Sequence, residues 1–274
     1  DKTLDVEILE ALILDQSGKK LRKLSEKEIT TRSNFSYGTF YQDGLVKQFS
    51  LKWNEYPYRI KYRYRESSTK FISLVRWYPA VYNNVEIANA ELHVDIPADY
   101  PVSMSYDDGL KYSKETGKKN RVYHSWIIEN HLVEEGEYFS PPTIEMEPKV
   151  MLVPKQFNYG VPGSSVNWQE YGNWHENLNA GLDQLTESEE RIVDDLLTGV
   201  TDAEEKVKIL YNYMQDHTRY INVSIDVGGM KPYPASYVCK NKYGDCKALT
   251  IYMKAMLNYI GISSHYTVIK SGPN

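Results

Sequence analysis

The chain has 274 residues, 41% hydrophobic and 25% charged, the proportions of a folded globular protein rather than a disordered one. That length exceeds one ordinary domain of about 100 to 200 residues and suits two. The net charge of -5 offers no clustered Lys and Arg for a nucleic-acid backbone, so nucleic acid is excluded as a partner. No run approaches the roughly eighteen consecutive apolar residues of a spanning helix, and no transmembrane segment is expected in this chain. It opens at Asp1 without a charged-then-apolar leader, which does not argue for the cytoplasm. The only cysteines are Cys239 and Cys246, too few for a disulfide framework. No histidine stands near them at ligand spacing, so neither metal nor cofactor is expected.

Residues 1–160 read as an antiparallel β-sandwich. Strand patterns run over 6–14, 45–53, 56–65, 71–78, 91–96, 121–128 and 143–153, separated by turn signals such as Asp15-Gln16-Ser17-Gly18, Asp43-Gly44, Asp107-Asp108-Gly109 and Glu135-Gly136. The alternation is cleanest at 56–65. Tyr56, Tyr58, Ile60, Tyr62 and Tyr64 point one way, Pro57, Arg59, Lys61, Arg63 and Arg65 the other. The tyrosine row is read as the core side of the sandwich, ahead of a platform for sugars or peptides.

A stretch rich in Gly, Pro, Ser and Asn follows Pro154, and 161–180 is taken as the segment between domains. Residues 181–274 then turn helical. Thr186 with Glu189, and Thr201 with Glu204, have capping-box spacing. In the second helix Val207, Leu210, Tyr211 and Met214 form an apolar stripe ending near His217. Residues 219–227 read as extended and Gly228-Gly229 as a turn. A last helix is expected over 245–260, capped by Gly261 and followed by a strand at 264–269. The fold class is α+β.

The chemically informative run is Tyr243-Gly244-Asp245-Cys246-Lys247-Ala248-Leu249-Thr250, where loop becomes helix. Free N–H groups and the positive end of the helix dipole there favour thiolate over thiol, and the same N–H groups suit an oxyanion. Gly244 is expected to permit a tight bend and substrate approach. A single cysteine in such a place is more often an inert core residue, so context decides.

Residues 206–269 resemble the front half of the transglutaminase-like superfamily, which shares Cys-His-Asp chemistry with papain-type proteases. The carriers, in order, are a helix leading to Tyr220-Ile221, a loop, here 232–241, Gly244-Asp245-Cys246 opening a helix, and Gly261-Ile262 closing it. Where the prevalent pattern has Asp after Gly-Asp-Cys-Lys, this chain has Ala248. The resemblance implies that Cys246 is the nucleophile of an acyl-transfer enzyme acting on a protein or peptide substrate. Peptide or isopeptide hydrolysis is the first reading, with cross-linking close behind. It also implies a catalytic His and Asp on strands beyond residue 274, so that residues 1–274 alone are expected to be inactive. His265 falls too early to be that histidine. An oxyanion donor is to be sought at 220–222.

The first 150 to 180 residues resemble the β-rich domain that precedes such cores in bacterial envelope proteins. The carriers are the aromatic strand, Glu91-Leu92-His93-Val94-Asp95-Ile96-Pro97 and Trp168-Gln169-Glu170-Tyr171-Gly172-Asn173-Trp174. This implies a periplasmic or otherwise extracytoplasmic location. A second class of reading is a non-catalytic binding or scaffold protein on a degenerate core. Cys239 is taken as a lone thiol rather than a disulfide partner of Cys246. His93, His124, His131, His175 and His217 are taken as ordinary surface or core residues.

Overall fold

The structure, a computed structural model, describes residues 4–33, 39–42, 44–133, 137–224 and 229–269. The turns expected at Asp43-Gly44, Glu135-Gly136 and Gly228-Gly229 lie wholly or partly outside them. Strands dominate the first 164 residues and helices the rest, an α+β chain with a β-rich N-terminal part. It groups into two compact units. One combines Asp1–Lys70 with Glu176–Val268, and the other is built around Phe71–His175. Spatial grouping therefore crosses the sequence division at residue 160.

The first unit begins with β1 (Leu4–Leu14), β2 (Lys20–Lys23), β3 (Thr30–Ser33), β4 (Thr39–Gln42), β5 (Leu45–Gln48) and β6 (Arg59–Ser68). β2, β1 and β6 form an antiparallel sheet in that order, and β3 pairs with β5. The β1–β2 turn closes as expected: Asp15 accepts the Gly18 N–H on its carbonyl, and its carboxylate takes Ser17 Oγ and the Lys19 N–H. Ala11 and Ile13 of β1 are buried with Leu24 and Leu51 in a small core.

The second unit holds β7 (Val75–Trp77), β8 (Glu86–Pro97), β9 (Val102–Tyr106), β10 (Lys111–Thr116), β11 (Arg121–Leu132), α1 (Thr143–Met146), β12 (Val150–Pro154), β13 (Gln156–Tyr159), β14 (Val161–Ser164) and α2 (Trp168–Asn179) as far as His175, where the first unit resumes. Two three-stranded antiparallel sheets, β10-β11-β8 and β7-β12-β9, share a core of Leu110, Trp126, Ile128, Val150 and Leu152. This is the sandwich, and it is smaller than expected because β1, β2 and β6 belong to a separate sheet. Strand β11 shows the reason for the pattern. Val122, His124, Trp126 and Ile128 are buried while Tyr123 and Glu129 are exposed, the period of two of a sheet with one dry face. Part of the expected 143–153 strand is the short α1. The expected linker, 161–180, is instead strand and helix: Trp174 of α2 is buried, packs edge-on against Phe157 and donates its indole N–H to the Tyr159 carbonyl.

The first unit continues with α3 (Glu187–Leu196), α4 (Ala203–His217), β15 (Arg219–Tyr220), β16 (Asn222–Ser224), α5 (Ala235–Asn241), β17 (Tyr243–Gly244) and α6 (Cys246–Tyr259). Parallel pairing of β16 with β4 carries the N-terminal chain into this unit. Thr186 caps α3 as expected, accepting the Glu189 N–H. For α4 the cap is Asp202 rather than Thr201, its carboxylate accepting the Glu205 N–H at 2.9 Å. The buried stripe of α4 runs through Leu210 and Tyr213, whereas Tyr211 is 48% exposed. Residues 235–241 are helix rather than loop, because Ala235, Val238 and Cys239 fall at i, i+3 and i+4 and are all buried. α6 buries Ala248, Ile251, Tyr252, Ala255 and Met256 in the same core, the larger of them contributing about 1.5 to 3 kcal/mol each. It ends as expected on Gly261 in the left-handed region, with the Ile262 N–H returning to the Leu257 carbonyl. No ladder forms at 264–269. Ile262, Ser264 and Tyr266 are half-buried and their neighbours exposed, so the segment keeps a strand's alternation without a partner strand among the described residues.

Candidate active site

Asp245 lies between the short β17 and α6, as the N-cap of the helix. Its backbone is extended (φ -81, ψ 179), and its buried carboxylate accepts the Ala248 N–H at 2.9 Å and Lys247 Nζ at 2.6 Å. That cap spends the carboxylate on the helix end and its neighbour, which leaves Cys246, the first helical residue, exposed at the N-terminus of α6. Cys246 thus stands at the mouth of a helix, as the loop-to-helix reading of 243–250 expects.

The approach to Cys246 is set by a two-residue parallel ladder. Arg219 pairs with Tyr243 and Tyr220 with Gly244, with the Arg219 N–H on the Lys242 carbonyl and the Ile221 N–H on the Gly244 carbonyl, both at 3.0 Å. This register sets Tyr220 opposite Gly244, two positions before Cys246. Partial burial first, and then the neighbouring Cys246 and Asp245, raise the Tyr220 phenol above its ordinary value. Tyr266 is raised too, by burial first and then by Cys246 and Asp245.

Gly244 does not serve as expected. It is absent from the left-handed glycines, and a Cβ built on it would stand 2.9 Å from the Ala248 Cβ and 3.3 Å from Val238 Cγ2. Its lack of a side chain lets α6 approach α5, and the small Ala248, fully buried, is the other half of that contact.

Beneath the ladder lies a polar cluster that sequence reading missed. Glu189 is 2% exposed and accepts hydrogen bonds from Tyr213 of α4 at 2.8 Å, from Tyr252 of α6, and from Lys242 Nζ at 2.7 Å. Burial pushes its carboxyl up, but the three donors outweigh that and hold it below the ordinary glutamate value. The same cluster raises Tyr213 and Lys242. Lys242 is the left-handed residue closing α5, so the cluster ties α3, α4 and α6 to the turn that delivers Gly244, Asp245 and Cys246. The signal was the Thr186–Glu189 spacing. It was read as a reciprocal cap, but the Glu189 side chain turns inward.

Cys239 is buried, and burial raises its thiol; both cysteines are free. The histidines lie in other environments. His124 is buried against Tyr112, His131 pairs with Glu147, His217 bonds the Tyr213 carbonyl, and His265 is exposed. His93 joins Ser125 and Glu91, both at 2.9 Å, on an exposed sheet face. Around Ser125, β11 is paired on both sides, so the amides there are committed to the ladders rather than free to cradle an oxyanion. His175 is buried with both ring nitrogens unpartnered. Among the described residues no group of three or more His, Cys, Asp or Glu is arranged to hold a metal, and no helix is long and apolar enough to cross a membrane.

No curated protein gives a significant match to this chain. A solved structure from Parabacteroides distasonis ATCC 8503, named a "putative protease", superposes with a TM-score of 0.64 at 14% identity. The match covers 95% of this chain and 50% of that one, so the chain spans about half its length. At this identity the likeness is one of fold. Residues 1–133 match a Domain of Unknown Function with solved structure (DUF3857). Residues 190–270, which contain α4, α5 and α6 with Cys246 at its head, match the transglutaminase-like superfamily.

Proposed function

We propose that Cys246 is the nucleophile of a cysteine acyl-transfer enzyme that hydrolyses peptide or isopeptide bonds. The observation that carries this is an exposed cysteine at the first turn of α6, with Tyr220 held opposite Gly244 in the adjoining ladder. Sγ attacks the amide carbonyl carbon, and the resulting oxyanion is received by the Cys246 N–H and the Tyr220 hydroxyl. The amine leaves with a proton, and water or a second amine releases the acyl group from sulfur. The proton acceptor and its carboxylate partner are assigned, by the family resemblance, to a His and an Asp beyond residue 274. The envelope-protein resemblance of the first 180 residues supports an extracytoplasmic place of action.

In the full-length protein, Cys246→Ser is expected to abolish labelling by a thiol-directed acyl probe while leaving the circular dichroism spectrum unchanged. In residues 1–274, Cys246 is expected to react with iodoacetamide faster than the buried Cys239. Equal labelling of wild type and variant, or equal alkylation rates, defeats the nucleophile assignment and leaves the scaffold reading.

A further inference from the structure

Register places Tyr62 opposite Ala11, Ile60 opposite Ile13 and Tyr64 opposite Ile8. Directly paired residues share a face, so the tyrosines stand on the face where β1 buries Ala11 and Ile13. The covering layer stops short of them: Tyr58 and Phe49 pack onto that core, but Tyr62 is 60% exposed and Tyr64 55%. Their rings form a continuous row, Phe49 edge-on to Tyr62 and Tyr62 stacked along Tyr64. The opposite face of β6 presents Arg59, Lys61, Arg63 and Arg65. Glu10 engages Lys61 at 3.0 Å and Glu7 engages Arg65 at 3.6 Å, while Arg63, opposite Glu10 in the ladder and under the influence of its charge, and Arg59 close no ion pair of their own among the described residues. β6 is also the outer strand of its sheet, and among the described residues its far edge pairs with no strand. A ten-residue edge strand with an open apolar face is a template for another strand.

We propose that β6 is a docking edge for an extended polypeptide segment in which carboxylate side chains alternate with apolar ones. Added as a fourth strand, such a segment sets its carboxylates beside Arg59 and Arg63 and its apolar side chains beside Tyr62 and Tyr64, while its backbone uses the free edge. The need for backbone donors and acceptors selects polypeptide over an anionic glycan. The charges select against a second copy of this chain. A two-fold pairing of β6 with itself that keeps both core faces on one side puts Arg and Lys opposite Arg and Lys, and like charges directly opposite destabilise a ladder.

The test uses the 274-residue chain and a fluorescein-labelled ten-residue peptide of alternating Glu and Val, read by anisotropy. The controls are a peptide of the same composition with its Glu and Val in separate blocks, an alternating Lys-Val peptide, and hyaluronan. The alternating Glu-Val peptide is expected to bind at least about tenfold more tightly than either control peptide and to slow hydrogen exchange in β6. Arg59→Glu with Arg63→Glu, and separately Tyr62→Ser with Tyr64→Ser, are each expected to weaken it by about tenfold or more. All four side chains are exposed, and an unchanged circular dichroism spectrum confirms that the variants fold. A smaller difference between alternating and block peptides overturns the proposal. So does hyaluronan binding without peptide binding, or concentration-dependent self-association abolished by the Arg variants, which would assign the surface to a glycan or to a second copy.

Discussion

Replacing Glu189 with Ala removes the acceptor shared by three elements, and the structure allows the cost to be worked out. Tyr252 is fully buried and Tyr213 is 7% exposed, so both hydroxyls lose their partner in a dry environment. Each buried donor left unpaired costs about 1 to 3 kcal/mol. Lys242 has a side chain 37% exposed and can turn to water, so its share is discounted, and a total of about 3 to 5 kcal/mol is expected, the range for a broken buried pair. Glu189→Gln keeps the volume and one acceptor, and is expected to cost about half as much. The readout is denaturant unfolding followed at 222 nm, which reports the helices α3 to α6. The pH dependence adds a sign. A carboxyl held below its ordinary value of 4.5 contributes stability that is fully present above that value and is lost as pH falls through the lower, folded-state value. The gap between wild type and Glu189→Gln is therefore expected to be widest at neutral pH and to close on acidification below 4.5. A Gln variant as stable as wild type at pH 7, or a gap that does not narrow in acid, refutes the account of the cluster.

Gly244→Ala is expected to destabilise the same helical transition by about 1 to 3 kcal/mol, since its Cβ meets Ala248 at 2.9 Å. Adding Ala248→Gly should recover part of that loss, and a neutral single variant would show the contact to be slack. Tyr220→Phe in the full-length protein should leave folding unchanged, because the ring is 61% exposed. It should also lower kcat/KM for acyl transfer on the order of 100-fold, the effect of removing one oxyanion donor. Unchanged kinetics would remove Tyr220 from the site.

How much of this could be read from residues alone follows from range. The helix start at Asp245, the position of Cys246 and the Gly261 cap depend on a few consecutive residues, and all three stood in the sequence. Even α5 is legible in principle, since Ala235, Val238 and Cys239 carry the helical spacing, but the family resemblance implies a loop there. Periodicity states which side chains share a face. It does not state what covers that face.

The tyrosine row makes the distinction concrete. Alternation placed it on the apolar side of a strand, and register confirms the side, yet the layer over β1 ends before Tyr62, so residues patterned for a core stand in solvent. Glu189 shows the converse: a charged residue three positions after a cap reads as surface, and the fold buries it because Tyr213, Tyr252 and Lys242, distant in sequence, arrive with three donors. Local hydrogen bonding and side-chain period were determined by the sequence itself. Coverage, partner choice and the grouping of the first strands with the helical core through β4 and β16 required the tertiary structure, because burial depends on which distant segments meet.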